Sequence, residues 1–263
     1  MSLPPPAPFA SQRLDDRVVL ITGATGGLGR ALSFACARAG ATVVIHGRAV
    51  RKLESLYDEL VEAGAAEPVI LPLDLAKAEA SDFGNVASAL EAQLGRLDAL
   101  VHTAVQLGSL GPIEHQSFDQ WLSVLRVDLA APMGLTRSLA GLLGQSSDGS
   151  VTFTLDTRGE APHAYWGSYA AAKAGLSALA TILADEWESR ENLRVNAVVP
   201  GPMRSPLRNQ THPAEDVSAL PDPDALAPLY LHLIRGQAKR DSGVRIDAQA
   251  WLAGAPASTS LLP

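Results

Sequence analysis

Short apolar runs recur along the chain at 18–22, 42–45, 69–73, 99–102, 151–155 and 195–199, separated by longer segments whose apolar residues return every three or four positions. Runs this short, without polar alternation, predict strands covered on both faces, as in a parallel sheet. The periodic segments 28–39, 51–63, 83–94, 118–143 and 166–188 predict helices. Strand and helix alternating in this way predict a single α/β domain over 13–253, a doubly wound parallel sheet with helices on both faces. In that architecture ligands bind beyond the carboxyl ends of the strands, where the strand order reverses.

The remaining segments have weaker patterns. Residues 222–235 predict one more helix and 244–248 a last strand, while the Pro-punctuated stretch 201–221 has no clear period and reads as a substrate loop or lid. The ends, 1–12 and 254–263, are rich in Pro, Ser and small residues and are expected to be flexible extensions. A net charge of -7 opposes the basic surface that nucleic-acid binding needs. The single cysteine, Cys36, sits in a helical pattern and is expected to be buried. No apolar run is long enough to span a bilayer and no secretory pattern opens the chain, so no membrane partner is expected and the cytoplasm is the default location.

Thr22-Gly23-Ala24-Thr25-Gly26-Gly27-Leu28-Gly29 directly follows the first strand and opens the first helix. Gly23 permits a tight turn, Gly26 and Gly27 allow close approach of a pyrophosphate, and Gly29 lets helix and strand pack closely. The free amides of a helix N-terminus face the anion. The sequence therefore predicts a dinucleotide-binding fold of Rossmann type. Tyr169 and Lys173 lie four apart on a helix and leave it on one face. An ammonium beside a phenol is expected to favour the phenolate and to bring its pKa toward working pH, which suits proton exchange with a carbonyl or alcohol oxygen.

This spacing of glycines resembles the short-chain dehydrogenase/reductase family, and the Tyr-x-x-x-Lys pair agrees. So do Asp74-Leu75 after the third strand, the position of the family's adenine-contacting Asp, and Pro200-Gly201 with Met203 and Ser205, beside the nicotinamide in the family. The 166–173 stretch and Pro228-Leu229-Tyr230-Leu231 are similar to its bacterial YciK-like branch. The resemblance implies a nicotinamide-dependent oxidoreductase that moves a hydride between cofactor and a carbonyl or alcohol. It implies Tyr169 as acid/base, Lys173 as tuner and ribose ligand, and a homodimer or homotetramer.

Three positions depart from the family pattern. Asp156 stands thirteen residues before Tyr169, where the family has its catalytic Ser. An ionised carboxylate accepts hydrogen bonds but does not donate, and would repel charge developing on a substrate oxygen. Asp156 works there only if protonated or on a different substrate, and Thr157 supplies a neighbouring hydroxyl only if the strand end bends. Asp128 replaces the family's active-site Asn and is placed to pair with Lys173. His102-Thr103-Ala104-Val105 replaces the usual Asn-Asn-Ala-Gly, and Val105 puts a branched side chain where glycine leaves room for the cofactor. Two readings stay open: an enzyme with altered chemistry, or a dinucleotide-binding protein with weakened or lost catalysis that acts as a sensor or partner.

The second strand ends in His46-Gly47-Arg48, with no carboxylate for a ribose hydroxyl and an arginine suited to a 2′-phosphate, which favours NADP over NAD. The histidines show no metal-ligand spacing, so no metal is expected. His163 and Tyr165 are read either as lining a substrate pocket or as exposed loop residues.

Overall fold

The computed structural model describes residues 13–235 and 242–261. The N-terminal stretch expected as a flexible extension, 1–12, lies outside the described residues. The apolar runs form strands β1 (Val18–Thr22), β2 (Thr42–Gly47), β3 (Val69–Pro72), β4 (Ala99–His102), β5 (Gly149–Thr154), β6 (Leu193–Val199) and β7 (Val244–Asp247). They make one sheet in the order β3-β2-β1-β4-β5-β6-β7, all parallel, and Ser258–Ser260 adds β8 antiparallel to β7. The order reverses between β1 and β4, so the carboxyl ends of these two strands define the crevice.

The helices are α1 (Gly27–Arg38), α2 (Val50–Glu62), α3 (Ala80–Leu94), α4 (Phe118–Leu125), α5 (Ala131–Gln145), α6 (Thr157–Glu160), α7 (Gly167–Glu186), α8 (Pro206–Thr211), α9 (Ala227–Arg235) and α10 (Ala248–Leu252). Side chains alternate across each strand, which explains why the runs are apolar throughout. In β1, Val19 and Ile21 join Leu32, Leu53 and Leu231 in the core on one face, while Val18 and Leu20 join Leu90, Leu139 and Leu176 on the other. Cys36 is buried in the first of these layers, and burial raises its thiol to about 12, so it packs as a small hydrophobe.

Two elements differ from the sequence reading. The single helix expected over 118–143 is interrupted at Arg126–Ala130 by a wider π turn. The expected C-terminal tail takes part in the fold: β8 pairs with β7, and Ala257 and Leu261 are buried, while 262–263 lie outside the described residues. Backbone pairing, which needs no apolar side chains, holds this edge strand.

Candidate active site

The crevice holds a cavity of about 510 Å³. Of the residues expected to hold a dinucleotide, Gly23, Thr25, Gly26, Gly27, Leu28, Gly29, Arg48, Asp74, Leu75, Thr103, Ala104, Val105, Pro200, Met203 and Ser205 line it, together with Tyr169 and Lys173. Thr22 lies behind the wall, fully buried, and works from there. Its Oγ1 accepts the N–H groups of Thr103 (3.1 Å) and Ala104 (3.2 Å), and Thr103 Oγ1 donates to Thr22 O at 2.5 Å. These bonds fasten the loop after β4 to the loop after β1.

The glycine loop is shaped for close approach. Gly23 has φ +67, and a Cβ there would lie 2.7 Å from Ala104 Cα. At Gly29 a Cβ would come within 2.3 Å of Gly23 O. The first turn of α1 has no side-chain cap and no acidic residue, so its amides are left for an anion. His46 closes the floor: its Nδ1 accepts Gly23 N–H at 3.3 Å, and burial pushes the ring down to about 4, keeping it neutral. Arg48, exposed at the end of β2, has no ion pair among the described residues and lines the same cavity. Asp74 is half-buried, with Oδ1 accepting Ala76 N–H at 3.1 Å. This donor set and the space above the glycines fit a dinucleotide.

At the far end, α7 presents Tyr169 and Lys173. Tyr169 is only 2% exposed, and its hydroxyl donates to Asp156 Oδ2 at 2.8 Å. Lys173 Nζ donates to Thr154 O at 3.2 Å and lies 5.7 Å from the Tyr169 ring centroid. The expected activation of the phenol is not what the geometry gives. Burial pushes Tyr169 well above its ordinary value, the charge of Asp156 and the hydrogen bond to it push further, and Asp128 adds to this; Arg158 is the cation that opposes them.

Asp156 borders a second cavity of about 100 Å³ rather than the large one, sharing it with Thr157, Arg158, Trp166, Gly201, Arg208 and His212; Tyr169, Met203 and Ser205 face both. The strand end does bend, because β5 stops at Thr154 and α6 begins at Thr157, capped by Asp156 Oδ1 on Arg158 N–H at 2.8 Å. Even so, Tyr169 meets Asp156 and not the Thr157 hydroxyl. Gly201, with φ +70, lines the second cavity, and a Cβ there would lie 2.5 Å from Gln249 Cγ.

Asp128 sits fully buried in the π turn, where Oδ1 accepts Gln106 N–H at 2.7 Å and Oδ2 is without a hydrogen-bond partner. Burial raises this carboxyl to about 7, against the opposing pull of Lys173 and the Gln106 bond. The expected pairing with Lys173 is not a contact, because Lys173 Nζ turns to Thr154 O instead. Val105 does not fill the cofactor's space by strain: it is 38% exposed and its backbone is outside the left-handed region that demands glycine. His102 stacks on Phe153 at 5.0 Å and forms a hydrogen-bonded pair with Thr136 Oγ1 at 2.9 Å, and burial above all pushes it down to about 3. It is a neutral core residue.

His163 and Tyr165 are exposed and line neither cavity, which decides for the loop reading. The 201–221 stretch folds over the site through α8, whose Leu207 and Gln210 reach the large cavity, and Arg208 pairs with Glu215 at 2.5 Å to tie the segment back on itself. Sequence reasoning missed Gln106, Arg158, Trp166 and Gln249, whose Nε2 donates to Pro200 O at 2.7 Å. Trp166 directly precedes the Tyr169 helix and was the one with a positional signal. Among the described residues no group of three His, Cys, Asp or Glu is placed to hold a metal ion, and no helix is long and apolar enough to cross a membrane.

Comparison with known proteins bears on the whole of this arrangement. The family model for short chain dehydrogenase matches residues 17–216. The uncharacterized oxidoreductase YciK of Escherichia coli (strain K12) is 36% identical over 236 residues, covering 90% of this chain and 93% of that protein. A short chain dehydrogenase structure from Escherichia coli CFT073, complexed with NADPH, superposes with TM-score 0.87 at 36% identity, covering 91% of this chain and 99% of that one. Another, from Pseudomonas syringae, gives TM-score 0.89 at 34% identity over 95% of this chain and 100% of that one. With a family match of that span and a relative similar along nine-tenths of its length, the chain belongs to the short chain dehydrogenase family.

Proposed function

We propose that this protein is an NADP-dependent oxidoreductase acting on a small-molecule carbonyl or alcohol. The observation that carries the reading is the convergence on one cavity of the glycine cradle, Arg48 and the Tyr169/Lys173 pair. The first-turn amides of α1 and the loop glycines hold the pyrophosphate, Asp74 and Leu75 border the adenine, and Arg48 meets the 2′-phosphate. Thr103, Ala104 and Val105 form the wall on the β4 side, and Pro200, Met203 and Ser205 the opposite one. Lys173 binds the nicotinamide ribose. The cofactor, when bound, supplies the hydride donor or acceptor. Tyr169 then exchanges a proton with the substrate oxygen. The relative crystallised with NADPH supports the same cofactor choice.

One observation favours a second reading, a dinucleotide-binding protein with weakened catalysis: the Tyr169 phenol is held by Asp156 and its pKa is raised rather than lowered. A panel of carbonyls and alcohols, followed by absorbance of the reduced nicotinamide, separates the two. The enzyme reading predicts turnover that requires Tyr169; NADPH binding without turnover across the panel favours the second. We also read the chain as a homodimer or homotetramer, on the apolar side chains that α4 and α5 expose at Phe118 (74%), Leu122 and Met133, which light scattering tests.

A further inference from the structure

We propose that Asp156 is the proton partner of Tyr169, the two forming a relay that carries a substrate hydroxyl proton out toward the second cavity and sets the site for alcohol oxidation. The inference rests on the cofactor reading above and deepens it.

The single proton between Tyr169 Oη and Asp156 Oδ2, 2.8 Å apart, belongs to the phenol when the carboxylate is ionised. Asp156 is held in place by the Arg158 N–H on its other oxygen, and no ion pair engages it among the described residues. With its proton pointed at Asp156, Tyr169 presents lone pairs, not a donor, to the large cavity. A carbonyl oxygen finds no donor there. A hydroxyl finds an acceptor, giving the chain substrate O–H to Tyr169 Oη–H to Asp156 Oδ2.

The carbinol C–H bond breaks with its electron pair going to NADP⁺, which is reduced while the alcohol is oxidised to a carbonyl. The substrate O–H bond breaks as a new O–H forms on Tyr169, and the old Tyr169 O–H breaks as one forms on Asp156. A carboxylate suffices as final acceptor because a hydroxyl whose carbon is losing a hydride becomes strongly acidic. No free phenolate is needed, which suits a phenol whose burial disfavours ionisation. Half-buried Asp156 then returns the proton to solvent through the second cavity. Reduction runs the chain backward and requires protonated Asp156. The other titratable groups around the pair are Asp128 in the π turn, Arg158 on α6, Lys173 on α7, Arg208 on α8 and His212 after it.

Tyrosine labelled at ¹³Cζ reads the coupling without cofactor. The chain has four tyrosines, and Tyr169→Phe identifies the resonance. The Tyr169 signal is expected to step with pH, and the step to vanish in Asp156→Asn. A wild-type signal that does not change with pH, or the same step in Asp156→Asn, overturns the proposal. In turnover, alcohol oxidation by Asp156→Asn should fall by about 10²–10⁴-fold. Wild-type oxidation should rise, and reduction fall, as the carboxyl loses its proton, and Asp156→Ser should lose this limb. Faster oxidation in Asp156→Ser, or an unchanged limb, overturns it. Absence of saturable NADPH binding in the wild type overturns the proposed function instead, and is read separately from the NMR step.

Discussion

The two ends of the large cavity were built under different constraints. At the cradle end, Gly23, Gly29 and the Thr22–Thr103 bonds leave no room for variation, because backbone meets backbone at distances where a single added carbon collides. At the chemical end, side chains meet side chains: Asp156 accepts the Tyr169 hydroxyl, and His102 is absorbed into the core beside Phe153. Backbone packing constrains the first end; only the reaction constrains the second. A chain can therefore keep its cofactor cradle while its proton chemistry changes.

The contrast can be broken by substitutions at each end. The largest effect is expected at the chemical end, where Tyr169→Phe lowers kcat by about 10²–10⁴-fold while NADPH affinity, measured by calorimetry, stays within a few-fold. Next, Gly29→Ala forces its new methyl against Gly23 O. It should destabilise the fold by about 1–3 kcal/mol in denaturant titrations and weaken NADPH binding together with it. A smaller, selective effect is expected from Arg48→Met: about tenfold weaker NADPH binding with NADH unchanged, since only the 2′-phosphate loses its charge-assisted partner. A pH-dependent effect concerns Asp128. Its folded carboxyl is raised to about 7, so the folded state binds the proton more tightly than the unfolded chain. Stability is then highest at low pH, falls as pH rises toward 7 and is flat above it. Melting temperatures between pH 4 and 8 should show this slope in the wild type and lose it in Asp128→Asn.

The sequence revealed the cradle because its signal is local: glycines at fixed offsets between one strand and one helix. The sheet was legible for the same reason, each buried strand being a short apolar run. What the sequence hid depends on distance or on backbone alone. Ser258–Ser260 pairs through main-chain groups and has no apolar pattern. The π turn at Arg126–Ala130 leaves the apolar period of the segment unbroken while rotating Asp128 into the interior. The second cavity draws Arg158, Trp166, Gly201 and His212 from separate segments, and nothing in their spacing announces that they meet. The Tyr169–Asp156 bond was half legible: the thirteen-residue spacing located the pair, but only the bend after β5 decides that Asp156, and not Thr157, faces the phenol.

On the proposed reading the glycine cradle holds NADP and Arg48 selects it over NAD. The most direct measurement is a calorimetric titration of the wild-type protein with NADPH and, separately, with NADH. Saturable NADPH binding is expected, about tenfold or more tighter than NADH. Saturable binding of neither, or NADH binding as tightly as NADPH, contradicts it.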